Sequence, residues 1–319
     1  MAGTRGLRPI SHPTRERRPL IPPRASLLLR TIAFAAVLSH GGPAAAQDSL
    51  PQVLVSSDPS PLLEGTVSWL VVRPTAGSLT GGEAAGEPLH LEQSAEGEYR
   101  GLVAVPLETI DSLRVALFLA CQGRIDTIMA AVPVTAAGYP RETITVAPAL
   151  AKPDRVAAAR IERENARSRE VSRAARTRAR LWNGRFQLPR SSRVTSRFGA
   201  ARVYNGEVKT RHTGTDFAGA VGAPVRAAGR GVVAMVADFY LAGRAIYLDH
   251  GGGLVTAYFH LSRADVVEGD TVVAGQLLGG VGQSGRVTGP HLHWVARYGT
   301  ISVDPMSLLQ LETVVDTAQ

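Results

Sequence analysis

The chain has 319 residues, 45% of them hydrophobic and 19% charged. That composition fits a folded chain of two domains, or one with appendages, and excludes global disorder. A single cysteine, Cys121, excludes an intrachain disulfide framework and a cysteine-based zinc finger. The formal charge of +8 is unevenly spread, because residues 1–46 hold seven Arg and one acid, Glu16. The remainder is close to neutral and only 5% of the chain is aromatic, so neither a basic face nor a wealth of stacking rings argues for a nucleic-acid partner.

Residues 1–46 have the order of an export signal. Arg-rich residues 1–24 precede an apolar stretch from Ala25 to Leu38, interrupted by Arg30, and then Ala44-Ala45-Ala46. Small residues after a short apolar run predict cleavage after Ala46. The run is too short for a comfortable membrane span, and no other stretch reaches about 18 apolar residues. No stable span is expected after cleavage, and the absence of a nearby Cys argues against a lipid anchor.

Residues 47–148 contain short alternating runs at 66–72, 99–105, 113–119, 125–132 and 142–146, separated by Gly, Pro, Ser and Asp. The pattern predicts a small β-sandwich-like accessory domain. Trp69 and Tyr99 are expected in its core, Cys121 is expected as a buried small hydrophobe at a strand end, and His90 is expected on the surface. Residues 149–183 read as a linker and an Arg-rich helix from about 154 to 180, without Gly or Pro after Pro153. Its apolar positions, Val156, Ile161, Val171 and Leu181, are too sparse for a core stripe, which predicts a solvated connecting helix. Residues 184–310 hold Val- and Gly-rich runs with no helical period, expected as a mostly antiparallel β domain, and residues 311–319 as a tail.

Five of the eight histidines fall between 212 and 293. His212-Thr-Gly-Thr-Asp216 sets an imidazole and a carboxylate four apart around a Gly. His291-Leu-His293 sets two imidazoles at i and i+2, which share one face of a strand. Imidazole and carboxylate are ordinary zinc ligands, and a catalytic zinc needs three of them plus an open position. Taken alone, His-x-His is a weak signal, and structural or surface histidines compete with a metal site.

At these residues the sequence resembles the lysostaphin-type (LytM-like) zinc metallopeptidases, which cut peptide bonds in bacterial cell walls. The resemblance runs from about Phe186 to Pro305. It includes Val194-Thr-Ser-Arg-Phe-Gly199, His212-Thr-Gly-Thr-Asp216, Gly222-Ala-Pro-Val, Asp249-His-Gly-Gly-Gly253, Tyr258-Phe-His260, Gly282-Gln-Ser-Gly, His291-Leu-His293-Trp and Asp304-Pro305.

The resemblance implies a mostly β fold: a C-terminal antiparallel β-sheet metallopeptidase domain with an open groove, preceded by the sandwich-like domain and the connecting helix. It implies that His212, Asp216 and His293 hold Zn2+ and that His260 and His291 are non-ligand catalytic histidines. His291 is assigned the general-base role and His260 stabilisation of the intermediate or protonation of the leaving group, with the two roles exchangeable. Zinc would bring a bound water's pKa to about 7. His250 is expected to be structural, and Tyr204 and Asn205 to line the groove. The implied function is a secreted or periplasmic zinc metalloendopeptidase acting on the peptide stems and cross-bridges of peptidoglycan, with a regulatory wall protein as a further partner. The alternative is a non-catalytic wall-binding module or an activator of wall amidases. The complete ligand set favours the enzyme.

Overall fold

The alternating runs of the upstream half become strands because each can bury one face against another sheet. In the computed structural model, which describes residues 53–206 and 208–311, they form two sheets. One has the order Val53–Asp58, Val67–Pro74, Tyr99–Ala104, Glu92–Gln93. The other has the order Leu62–Leu63, Arg124–Thr135, Ser112–Cys121, Ser78–Ala84, Glu87–Pro88. Val55, Leu70, Val72, Val103, Leu117, Leu119 and Val132 fill the space between them. The expected signal at 1–46 lies outside the described residues, as does the expected tail beyond Leu311.

The strand Val67–Pro74 is buried on both faces. Leu70 and Val72 face the sandwich core, whereas Val67 and Trp69 join Leu102 and Ala104 in the core of the C-terminal half. The Trp69 ring lies 5.9 Å from Trp182, which lies 5.0 Å from Phe186. Glu87 is buried at the same junction, where it accepts from the Thr300 amide and hydroxyl and pairs with Arg176. This docking corrects one expectation: His90 is half-buried, its ring 6.1 Å from Tyr298, because the outer face of the sandwich is covered. Trp69 and Tyr99 are core residues, as predicted. Cys121 is only half-buried, since it ends its strand beside the turn at 122–123.

The run at 142–146 does not belong to the sandwich. Arg141–Ile144 pairs in parallel with Ala201–Tyr204, which pairs antiparallel with Val208–Arg211. The Asn205 side chain locks this linking segment by accepting from the Val146 amide and donating to the Val146 carbonyl. The helix that follows spans Arg155–Ala174 and ends in a 3-10 turn, Ala175–Thr177. Asp154 caps it by accepting from the Ala157 amide at 2.8 Å. Val156 is exposed, and the helix instead buries Ser168 and Ser172, whose small side chains permit close approach to the sheet. The Ser168 hydroxyl donates to the Tyr247 hydroxyl and accepts from Arg297.

The C-terminal half is built on one large antiparallel sheet. Its main order is Val194–Ser196, Thr215–Ala218, His291–Tyr298, Leu254–Ala264, Gly243–Gly251, Gly231–Phe239, Thr271–Val272. One face carries Phe217, Ile246, Leu248, Tyr258, Leu292 and Trp294 into the main core. On the other face, Met235, Tyr247, Val255 and Val295 pack with Ala175 and Val171 of the helical segment. The part of that second face beside the helix remains open as a groove.

Candidate active site

Strand register brings the predicted residues together. Asp216 pairs directly with His293, and Ala218 with His291, across two antiparallel strands. Residues directly opposite share a face. Phe217, Leu292 and Trp294 are buried in the core, so Asp216, His291 and His293 lie on the groove side. His212 arrives from the turn between Val208–Arg211 and Thr215–Ala218. Gly214 in that turn allows a close approach: a Cβ there would lie 2.5 Å from the Trp294 carbonyl oxygen and 2.7 Å from His293 Cε1.

Three donor atoms converge. His212 Nε2 is 3.1 Å from Asp216 Oδ1 and 3.0 Å from His293 Nδ1, and His293 Nδ1 is 2.7 Å from Asp216 Oδ1. All three residues are buried. Two imidazole nitrogens and one carboxylate oxygen, aimed at one another, are a donor set suited to a divalent transition metal such as zinc. Among the described residues this is the cluster able to hold a metal ion.

Backbone carbonyls fix the histidine tautomers. His212 Nδ1 lies 2.7 Å from the Arg197 carbonyl, His260 Nδ1 2.8 Å from that of Ser284, and His291 Nδ1 2.9 Å from that of Gly289. A carbonyl only accepts, so each Nδ1 carries the hydrogen and the neutral ring leaves a lone pair on Nε2. For His212 that lone pair points at the cluster. His291 Nε2 lies 3.7 Å from Asp216 Oδ1, just outside it.

His260 reaches the groove through a bulge. Tyr258 faces the core, and Phe259 pairs with His293 with their rings stacked at 5.4 Å. Simple alternation would turn His260 back toward the core. The register shifts here, and His260 adopts φ 62°, a left-handed conformation rare for a side-chain-bearing residue. Its ring consequently sits 4.9 Å from that of His291 and 5.8 Å from that of His293. Such strain costs of order 1–3 kcal/mol and concentrates at functional sites.

The groups are electrostatically coupled. Burial opposes the charge on Asp216, but hydrogen bonds and charge interactions with His212 and His293 hold it well below the usual carboxylate range. Burial pushes His293 down to about 4, despite the adjacent Asp216. Burial, together with His293 and His291, pushes His260 down to about 3.

Comparison with known proteins finds similar segments. Residues 210–305 match the profile of Peptidase family M23. Over 111 residues the chain is 40% identical to the peptidoglycan DD-endopeptidase ShyA of Vibrio cholerae, a stretch covering 34% of this chain and 26% of that protein. Over 97 residues it is 42% identical to the DD-carboxypeptidase/endopeptidase Mpg of Neisseria meningitidis, covering 30% and 22%. The chain thus spans about a quarter of the length of these relatives. A crystal structure of a putative peptidase M23 from Pseudomonas aeruginosa superposes with a TM-score of 0.59 at 26% identity, covering 78% of this chain and 95% of that one. That likeness extends upstream of the matched M23 segment.

The groove of the C-terminal half encloses a cavity of about 330 Å³. His212, Asp216, His260, His291 and His293 line it, with Tyr204, Arg202 and Arg286. Part of its wall lies outside residues 210–305: Ile144 and Val146 from the linking segment, and Ile161 and Ser168 from the helix. Asn205, expected in the groove, instead ties down Val146. His250 stays apart from this site. It is fully buried, with Nδ1 donating to the Arg230 carbonyl and Nε2 meeting Thr256 Oγ1. Arg202 and Glu142, which touch the cluster or one another, lie outside every motif quoted above, whereas Ser196, which touches both, lies within Val194-Thr-Ser-Arg-Phe-Gly199.

Proposed function

We propose that the protein is a zinc-dependent endopeptidase that hydrolyses peptide cross-links of bacterial peptidoglycan in the cell envelope. The observation that carries this reading is the convergence of His212 Nε2, Asp216 Oδ1 and His293 Nδ1 on an open groove, with two tautomer-fixed histidines beside them. The likeness to peptidoglycan endopeptidases over the M23 segment supports the substrate class.

His212, Asp216 and His293 would hold the metal. Zinc in such a set supplies Lewis acidity, polarising a carbonyl and bringing the pKa of water toward about 7. His291 and His260 supply proton transfer: each presents an Nε2 lone pair to the groove while a backbone carbonyl keeps the proton on Nδ1. His291, with Nε2 3.7 Å from Asp216 Oδ1, takes the proton from the attacking water. His260, facing His291 across the groove, is placed to carry a proton to the leaving amine. Phe259 stacks on His293 and restrains its ring.

Purified sacculi treated with the zinc-loaded chain should release new primary amines without new reducing ends, and a chelator should stop the release. Reducing ends without amines would point to glycan cleavage and overturn the reading. Binding to sacculi with no release of either would favour a non-catalytic wall module.

A further inference from the structure

We infer that Glu142, on the strand linking the sandwich to the helix, is a positioning residue for the metal ligands Asp216 and His212, acting through Arg202 and Ser196. The inference rests on the metal-site reading above. Asp216 divides its two oxygens. Oδ1 faces the rings of His212 and His293, whereas Oδ2 accepts from Arg202 Nη2 at 2.7 Å. Arg202 therefore occupies the second oxygen and leaves one oxygen for a metal.

That arrangement has an electrostatic consequence. With neutral imidazoles, Asp216 is the one anionic member of the ligand set, and the Arg202 guanidinium cancels its charge. A divalent cation beside an uncompensated guanidinium is disfavoured, most of all where little water screens the pair. Glu142 restores the negative charge. Its Oε2 accepts from Arg202 Nε at 3.0 Å, and the two residues face each other in register across the parallel strands Arg141–Ile144 and Ala201–Tyr204. The side chains of Arg202, Asp216 and Glu142 are 12%, 9% and 25% exposed, so screening is weak.

Ser196 closes the network. Its hydroxyl lies 2.7 and 2.8 Å from the two Glu142 oxygens, accepts from Arg202 Nη2 at 2.7 Å, and sits 3.1 Å from His212 Nδ1. Glu142 thus reaches two of the three ligands through one intermediate residue each. Groups that orient metal ligands typically change affinity by about 10–100-fold when removed. All three supporting residues lie outside the segment that matches the M23 profile.

The test uses the full chain, stripped with a chelator and titrated with zinc ion against a chromophoric competitor. Glu142→Ala should bind zinc about 10–100-fold more weakly than wild type. Glu142→Gln, which keeps an acceptor for Arg202 but not the charge, should fall between them and covers the case in which the alanine variant does not fold. Thr143→Ala, exposed on the same strand, should bind as wild type does. Wild-type affinity in both Glu142 variants would overturn the inference and leave the metal site standing. An equal loss in Thr143→Ala would also overturn it, since a loosened strand would then explain the effect. A wild-type chain that binds no zinc would overturn the metal site itself and this inference with it.

Discussion

Asp216 Oδ1 lies 2.7 Å from His293 Nδ1, and the two residues are direct partners across adjacent antiparallel strands. The pairing makes their separation a property of the sheet rather than of a loop. His212 is added by a turn that needs Gly214. Regular strand pairing thus sets the spacing of two of the three donors, and donors held by a sheet need less ordering when a ligand binds.

Removing one ligand should abolish tight binding. The wild-type chain is expected to hold one zinc, and His293→Ala to lose most of it, as read by metal analysis after gel filtration. Full zinc occupancy in a His212→Ala, His293→Ala double variant would place the metal elsewhere.

The proton carriers should separate from the ligands. His291→Ala is expected to keep its zinc and its fold but to lose turnover on sacculi by on the order of 10²–10⁴, the usual size of a general acid–base contribution. His260→Ala should behave similarly. Loss of zinc in His291→Ala would make His291 a ligand, and wild-type turnover would remove it from the reaction.

Gly214→Ala tests the close approach. Its Cβ would meet the Trp294 carbonyl and the His293 ring, neither of which moves freely within the sheet. Overpacking of this kind costs about 1–3 kcal/mol. Urea melts should show that loss, and zinc titration a weakened site. An unchanged melting midpoint and zinc affinity would mean that the turn relaxes without penalty.

Stability of the metal-free chain should fall with acid. Burial pushes His250 to about 4, against about 6.5 for an exposed imidazole. Between these values the unfolded state binds the proton and the folded state does not, so stability rises with pH. The contribution is fully present above about pH 6.5 and is lost as pH falls toward about 4, amounting to about 3 kcal/mol across the window. His260 and His293, also depressed, act in the same direction. Urea melts of chelator-treated protein at pH 7 and pH 4.5 measure the difference, and a flat profile would contradict it.

Much of this site was legible because its pattern is local. Alternation in a strand puts His291 and His293 on one face whatever the rest of the chain does. The face of His260 was not legible, since a bulge with positive φ reverses what alternation dictates. The run at 142–146 marks a strand but does not name its partner, and the parallel pairing with 201–204 is decided by distant contacts. The connecting helix stops before 180 although its residues favour continuation. Arg178 pairs with Asp249, and the Leu181 amide donates to the His250 carbonyl, which draws the chain onto the sheet. Glu142 lies in that run, but nothing local marks Arg202 as its partner, because their meeting depends on that same distant pairing.

The most direct test of the account is mass spectrometry of muropeptides after sacculi are digested with the zinc-loaded chain, beside His291→Ala and a chelator-treated control. The account predicts that cross-linked dimers become monomers by cleavage of a peptide bond within the cross-link, with glycan strands intact, and that both controls leave the dimers unchanged. Persistence of the dimers with the zinc-loaded wild type, or their equal loss with His291→Ala, would contradict it.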